Sequence, residues 1–309
     1  VYAEKAKVAY QQFINLKNEV YRKVKIKWYE LYKISEAIQI TNENLDVLNS
    51  LKQISQQNYK TGKTQMTDLL RLDVNIREQE NKLENLQGKL STLKTEFNLL
   101  LNRDETAKLA PPEKMVQDTF DLIAYRDSIR NNPQLTALKH KENSLKHQYE
   151  VAKKKGYPSI SLALDYAVIG ERTDMQVANS GQDVIMPMVG ISIPLYRKKY
   201  SAMKTEKELQ LQAIQSNQQN KINMLTSEYK KAEEAYVEAM RRVDLYKEQA
   251  NETKRIYNLL KTSYSADGQN FYELLKTRLM VLEFELKLEK AKANQNMAVA
   301  KLEFLTNQN

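Results

Sequence analysis

Apolar residues recur every three or four positions along most of this chain, which is the spacing of one face of an α-helix. The clearest runs are Val24, Leu31, Ile38 and Leu45 early in the chain, and Leu275, Leu279, Leu282 and Leu286 near its end. A period of seven keeps a narrow apolar seam on one side of a helix and predicts supercoiled helices. The helix predicted from about Arg197 to Ser263 would be about 90–100 Å long at about 1.5 Å per residue. The pattern therefore predicts rods longer than a compact domain needs.

Two stretches far apart in the chain share one layout. YKTGKTQMTDLL begins at Tyr59 and YSADGQNFYELL begins at Tyr264, an offset of 264 − 59 = 205 residues. The same offset relates Leu100 to Leu305 and Asn102 to Asn307. The sequence therefore predicts two structural repeats, each a long antiparallel coiled-coil helical hairpin that turns at a glycine. The turn glycines are Gly62 and Gly268.

A different period appears between the two repeats. YPSISLALDYAVIG and VIMPMVGISIPLY alternate large apolar residues with small or polar ones, which predicts two strands with one apolar face. The apolar positions include Ile160, Leu162, Leu164, Ile185, Val189, Ile191 and Ile193. Each segment has the length of a tilted strand that crosses a bilayer, so we expect this face to contact lipid. A water-soluble hairpin resting on helices is the alternative.

These patterns divide the chain into five predicted segments. They are a first-repeat helical hairpin over 1–102, a linker over 103–120 with Pro111-Pro112, a second-repeat helix over 121–156, a strand pair with its loop over 157–196, and a second-repeat helical hairpin over 197–309. The predicted fold is mainly α, with one β-strand pair.

Composition and sequence motifs narrow the classes of function that the chain can have. The net charge is +9, but lysines alternate with glutamates along the helices, as in KAEEAYVEAMRRVDLYKEQ, so a solvated coiled-coil surface is preferred to a nucleic-acid partner. Cysteine is absent, and His140 and His147 make an improbable metal pair without further ligands. No apolar run has the length of a transmembrane helix, and no phosphate-binding or nucleophile motif occurs. We therefore expect no enzyme, cofactor or metal.

Several features together resemble a known family. GYPSISL after a helix, GISIPLYRKKYSA before a long one, RNNPQL upstream and the paired glycine turns are similar to the outer-membrane efflux protein (TolC-like) family. The resemblance implies a homotrimer whose strands form a β-barrel in outer-membrane lipid and whose helices form an α-barrel across the periplasm of a Gram-negative bacterium. It also implies a passive exit duct for small molecules, metals or proteins in tripartite efflux or type I secretion. A periplasmic adaptor protein and an inner-membrane pump would be its partners.

The resemblance also implies sites. The pore aperture would be lined by Tyr264 and Glu273, with Asp68 as the counterpart of Glu273 in the first repeat. A further acidic position of the family is Lys276 here, and Arg71 stands at its first-repeat equivalent, so we expect Glu-Lys and Asp-Arg pairs. The same residues could be ordinary surface pairs three residues apart. The turns at Gly62 and Gly268 would dock an adaptor.

Relatives in the family carry two strand pairs per chain, so the sequence is expected to be N-terminally truncated, beginning after a first pair. Two other classes remain open at this stage. A periplasmic adaptor would have one helical hairpin and many strands, and a soluble coiled-coil scaffold would have incidental strands.

Overall fold

The computed structural model describes residues 1–110, 115–171, 173–175, 178 and 180–308, so Pro111-Pro112 and part of the loop between the strands lie outside the described residues. The elements run in the order α1 (Tyr2–Lys60), α2 (Met66–Leu100), a 3₁₀ helix (Arg126–Asn131), α3 (Pro133–Lys154), β1 (Ser159–Ala167), β2 (Val184–Ser192), α4 (Arg197–Asp267) and α5 (Phe271–Thr306). The prediction of a mainly helical fold with one strand pair is confirmed.

The chain divides into two compact units. The first contains residues 1–12 and 134–221, and the second contains residues 13–133 and 222–309. Long helices dominate, and α4 alone has 71 residues, which corresponds to a rise of about 106 Å. In the described part of the chain, none of the helices combines the length and apolarity that a bilayer crossing needs.

Within the second unit, α1 runs antiparallel to both α2 and α5. Side-chain contacts fix this direction because rising numbers on α1 meet falling numbers on its partners. On α2 the ion pairs are Lys27–Glu96 at 2.7 Å and Lys52–Asp73 at 2.5 Å. On α5 the contacts are Lys25–Glu303 at 2.6 Å, Tyr32–Glu289 at 2.9 Å and Arg278–Asn44 at 2.8 Å.

The two repeats end in the same way. Asn102 and Asn307, which the 205-residue offset relates, both adopt left-handed backbone, with φ of 54° and 59°. The amide of Arg103 donates to the Asn98 carbonyl and that of Gln308 to the Glu303 carbonyl, both at 2.9 Å. These bonds close the C-termini of α2 and α5 alike, so the internal repeat is present in the backbone as well as in the sequence.

Strands β1 and β2 form an antiparallel hairpin whose register gathers the large apolar residues on one face. Ile160 lies opposite Ile191, Leu162 opposite Val189 and Tyr166 opposite Ile185. Leu164 faces Pro187 on the same side, and Ile193 follows the end of β2. Every residue of both strands is exposed in the single chain.

One predicted boundary was wrong. A helix was expected to begin near Asp121 and to be interrupted at NNPQL, with Pro133 in a first helical turn. Residues 122–125 instead form turns, a 3₁₀ helix follows over Arg126–Asn131, and α3 begins at Pro133. The Asp121 carboxylate accepts the amides of Ile123 and Ala124, which favours a turn over a helical start. Pro133 then occupies the first helical position, where its missing N–H costs nothing.

Candidate functional site at the hairpin tips

Hydrogen bonds and ring packing of Tyr264 join the turns of the two helical hairpins. We call residues 55–76 and 257–281 the hairpin tips. The Tyr264 hydroxyl lies 2.8 Å from the Ser55 hydroxyl, and the Asn58 amide donates to the Tyr264 carbonyl at 3.3 Å. The Tyr264 ring packs on Phe271 with centroids 5.6 Å apart. Leucines of α1 surround this pair in the main apolar cluster, so Tyr264 joins three helices.

The two turn glycines have different surroundings although both have φ of 73°. A Cβ on Gly62 would meet no atom within 4 Å, whereas one on Gly268 would lie 2.6 Å from the Lys63 carbonyl oxygen. Lys63 also donates from Nζ to the Ala266 carbonyl at 3.2 Å. Gly268 is therefore required for the backbone conformation and for the close approach of the first turn.

The predicted charged residues lie on the first turns of α2 and α5. Asp68 and Glu273 each occupy the third position of their helix, where the helix dipole favours negative charge. Arg71 lies 3.7 Å from Asp68, and Lys276 lies 4.0 Å from Glu273, so both pairs are at ion-pair distance. Asp68 also accepts the Thr64 hydroxyl at 2.6 Å.

A contact between the repeats brings these charges to one end of the second unit. The Arg71 guanidinium lies 5.7 Å from the centre of the Tyr272 ring, and Tyr272 precedes Glu273. Glu273, Lys276 and Arg71 are exposed, whereas the Asp68 carboxylate is mostly covered. Tyr264 has no exposed surface in the single chain, so its side chain supports the tip from within.

Sequence reasoning missed a second polar group, which joins the second hairpin tip to α1. The Arg278 guanidinium donates through Nε to the Asn44 carboxamide oxygen at 2.8 Å and lies 5.6 Å from the centre of the Tyr257 ring. All three residues are at least nine-tenths buried. Burial lowers the pKa of Arg278 and raises that of Tyr257. Helical spacing from Leu274 and Val281 could have identified Arg278 as an inward-facing cation.

One of the two histidines contacts an acidic side chain. His140 Nδ1 lies 2.8 Å from the Glu4 carboxylate. Bonds from Lys7 and then from His140 lower the pKa of Glu4 to about 2. No group of three or more potential ligands with metal-binding geometry occurs among the residues that the structure describes.

Residues 124–308 match the family model described as outer membrane efflux protein. The chain belongs to the outer membrane efflux protein family. The match covers α3, the strand pair, α4 and α5, together with the second hairpin tip. No curated protein matched the chain in a sequence search.

Solved structures of outer-membrane channels and proteins share this fold. The chain superposes on the outer-membrane channel OprN with a TM-score of 0.82 and 14% identity, covering 99% of this chain and 70% of that one. The Vibrio cholerae outer membrane protein VceC gives 0.84 and 14%, with 98% and 73% covered. CusC gives 0.85 and 14%, with 98% and 72% covered.

Family membership settles the class of function. This efflux protein is an outer-membrane channel component that extends into the periplasm, and it is a transport protein without enzymatic activity. Members of the family function in tripartite efflux complexes. The periplasmic adaptor and the soluble scaffold are therefore set aside.

Proposed function

We propose that three copies of this efflux protein assemble into a tube through contacts that repeat those inside each chain. Residues 1–102 and 197–309 supply its helical wall, 103–120 and 121–156 connect the wall, and 157–196 contribute strands to a barrel in outer-membrane lipid. The observation that carries the proposal is a difference in burial between repeat-related residues of the hairpin tips.

The first bare surface lies on α2. Met66, Leu70 and Val74 form an exposed apolar stripe with a spacing of four residues. The 205-residue offset relates them to Phe271, Leu275 and Leu279 of α5, which pack in or against the main apolar cluster. Leu70 is 53% exposed, whereas Leu275 is 5% exposed. Helix α2 therefore lacks the cover that α1 gives to α5.

The second bare surface lies on α4. Leu259 is 74% exposed and Ile256 is also exposed. Their repeat equivalents on α1 are Ile54 and Leu51, which belong to or pack against the cluster that covers α5. In the part of the chain that the structure describes, this surface of α4 therefore lies against no other helix.

The two exposed surfaces are complementary because their repeat equivalents already pack together inside the chain. The equivalent of the α2 surface lies on α5, and that of the α4 surface lies on α1. Placing α4 of one copy on α2 of the next repeats that contact between copies. Such a contact joins two different surfaces of neighbouring copies. Successive copies form a closed ring when the rotation that relates one copy to the next is a whole fraction of a full turn. Burying each large apolar side chain would stabilise the ring by about 1.5–3 kcal/mol. The number of three copies follows from the family resemblance.

A cross-linking experiment tests this assembly. Inside the chain Asn58 contacts Tyr264. The 205-residue offset relates Asn58 to Ser263 and Tyr264 to Tyr59, so the equivalent contact between copies joins Ser263 of one copy to Tyr59 of the next. The chain has no cysteine, so Tyr59→Cys with Ser263→Cys gives a clean substrate for a short bifunctional thiol reagent. We expect covalent dimers and trimers of the protein extracted from the outer membrane.

The matched control replaces Ser263→Cys with Arg255→Cys. Arg255 is exposed, and its repeat equivalent Ser50 is exposed too, so this position lies off the proposed contact. Equal cross-linking of both pairs, or none of the first, would contradict the assembly.

The same proposal assigns the aperture to the charged residues of the tips. In a threefold ring Glu273, Lys276, Asp68 and Arg71 would face the narrowest part of the duct, and Tyr264 would hold their helices in place. The turns at Gly62 and Gly268 would meet the adaptor, and a partner pump would supply the energy. Substrates would be small molecules, metals or proteins, moved by efflux or type I secretion.

Channel recordings test the aperture. Loss of the Glu273–Lys276 ion pair should let the second hairpin tip move relative to the hairpins beside it. Glu273→Ala is expected to raise conductance in planar bilayers and to weaken cation block, because a carboxylate ring attracts cations. The exposed pair Arg255–Glu252 supplies the control Glu252→Ala. Conductance and block equal to the parent in Glu273→Ala would remove Glu273 from the aperture.

A further inference from the structure

We propose that Arg278 and Tyr257 of the second hairpin tip, together with Asn44 of α1, form a buried binding site for a small monovalent anion such as chloride. The three side chains come from α5, α1 and α4, and the site lies inside one chain. The inference is independent of how the copies assemble and of what the duct exports.

The first reason is an unbalanced positive charge. Arg278 is 6% exposed, and its guanidinium has no carboxylate within ion-pair distance in the part of the chain that the structure describes. Glu285 and Glu43 act on the Arg278 charge from beyond ion-pair distance, and the Glu285 carboxylate lies 3.6 Å from the Lys254 ammonium. A buried charge is costly unless it is paired, so the site favours an added negative ion.

The second reason is a surplus of hydrogen-bond donors. The Asn44 carboxamide gives its oxygen to Arg278, but its Nδ2 is buried without a partner. The Tyr257 hydroxyl is also buried without a partner. Burial raises the pKa of Tyr257, which keeps its proton available for donation. Both groups belong to residues in contact with the guanidinium, because the Asn44 carboxamide accepts from Arg278 Nε at 2.8 Å and the Tyr257 ring centre lies 5.6 Å from the guanidinium carbon.

The choice of ligand follows from this donor count. The guanidinium and the Asn44 Nδ2 can only donate, and the Tyr257 hydroxyl is free to donate. A halide accepts from all of them and neutralises the charge. A water molecule would accept some of these bonds but would leave the charge unpaired and would need acceptors for its own protons.

Halide replacement tests the site in the protein extracted from the outer membrane. The thermal unfolding midpoint is measured in sodium chloride and in sodium gluconate at equal ionic strength. We expect chloride to raise the midpoint of the parent by a few degrees, because a ligand that binds only the folded state stabilises it. Arg278→Gln should lose this response, and the exposed control Arg255→Gln should keep it.

Two further measurements keep the test decisive if Arg278→Gln fails to fold. Asn44→Asp supplies an internal carboxylate for Arg278 and should abolish the chloride response while preserving the fold. Crystals of the parent soaked in sodium bromide should show an anomalous peak within hydrogen-bonding distance of the Arg278 and Asn44 nitrogens. Absence of that peak, or equal midpoints of the parent in chloride and gluconate, would overturn the proposal.

Discussion

At the scale of single residues, positions that the 205-residue offset relates can differ in how deeply they are buried. Tyr264 and Tyr59 stand at the same place in their repeats, yet Tyr264 is fully buried and Tyr59 is half exposed. The difference arises because α1 covers the second tip within the chain. Among the described residues, no helix covers the first tip in the same way, which is why the two tyrosines should respond differently to substitution.

Removing the Tyr264 hydroxyl should destabilise the protein. In Tyr264→Phe the Ser55 hydroxyl stays buried and loses its 2.8 Å partner. We expect the free energy of unfolding to fall by about 1 kcal/mol in denaturant titrations. Tyr59→Phe is the matched control, and it should change stability by less than about 0.5 kcal/mol as exposed substitutions usually do. Equal effects of the two substitutions would contradict the assigned role of Tyr264.

The Glu4 carboxylate should make the first unit sensitive to acid. Its pKa is lowered from 4.5 to about 2, chiefly by Lys7 and then by His140. A carboxyl with a lower pKa in the folded chain stabilises the fold fully above its unfolded pKa and loses this contribution as the pH falls through the folded pKa. The unfolding midpoint of Glu4→Gln should therefore fall less than that of the parent between pH 4.5 and about 2. If the unfolding midpoints of the parent and of Glu4→Gln changed in parallel with pH, the bonds of Glu4 to Lys7 and His140 would not contribute to stability.

Residue roles were harder to predict than residue faces. The apolar face of the strands followed from alternation, because a period of two leaves only one assignment of sides. The placement of Tyr264 and Arg278 depends on which helix packs over them. That packing joins residues more than 200 positions apart, and no local pattern reports it.

At the scale of elements, the two turns share a backbone conformation but differ in packing. Gly62→Ala introduces only the cost of a left-handed residue, about 1–2 kcal/mol. Gly268→Ala adds a clash with the Lys63 backbone, so it should destabilise the tips further. Trypsin cleavage after Lys63 should be faster in Gly268→Ala than in Gly62→Ala. Equal cleavage rates would show that the close approach of the two turns is unimportant.

The helices and strands themselves were largely predictable. Long heptad runs identify helices because their seams persist over many turns, and the end of α4 lies only four residues beyond the predicted Ser263. Only the helical start near Asp121 was mispredicted, because the local hydrogen bonds of the Asp121 carboxylate favour a turn there. The linker after Asn102 is held by side chains of α5, including Asn296, which accepts the Asp118 amide at 3.0 Å and donates to the Val116 carbonyl at 2.8 Å. Such side-chain recognition of an extended backbone has no periodic signature.

At the scale of the whole molecule, the duplication explains why apolar residues remain exposed. Within the described residues, α1 packs on α5 across the two repeats, whereas the repeat-related stripes on α2 and α4 stay exposed. We propose that another copy of the chain covers these two stripes.

The stoichiometry of the protein extracted from the outer membrane tests this account most directly. Native mass spectrometry is expected to give three copies for the parent and single copies for Leu70→Asp, because a carboxylate on the α2 stripe would have to be buried against the next copy. Gln57→Asp is the matched control at an exposed position of the first tip, and it should stay trimeric. A parent that is monomeric, or a Leu70→Asp variant as trimeric as the parent, would contradict assembly through the repeated contact.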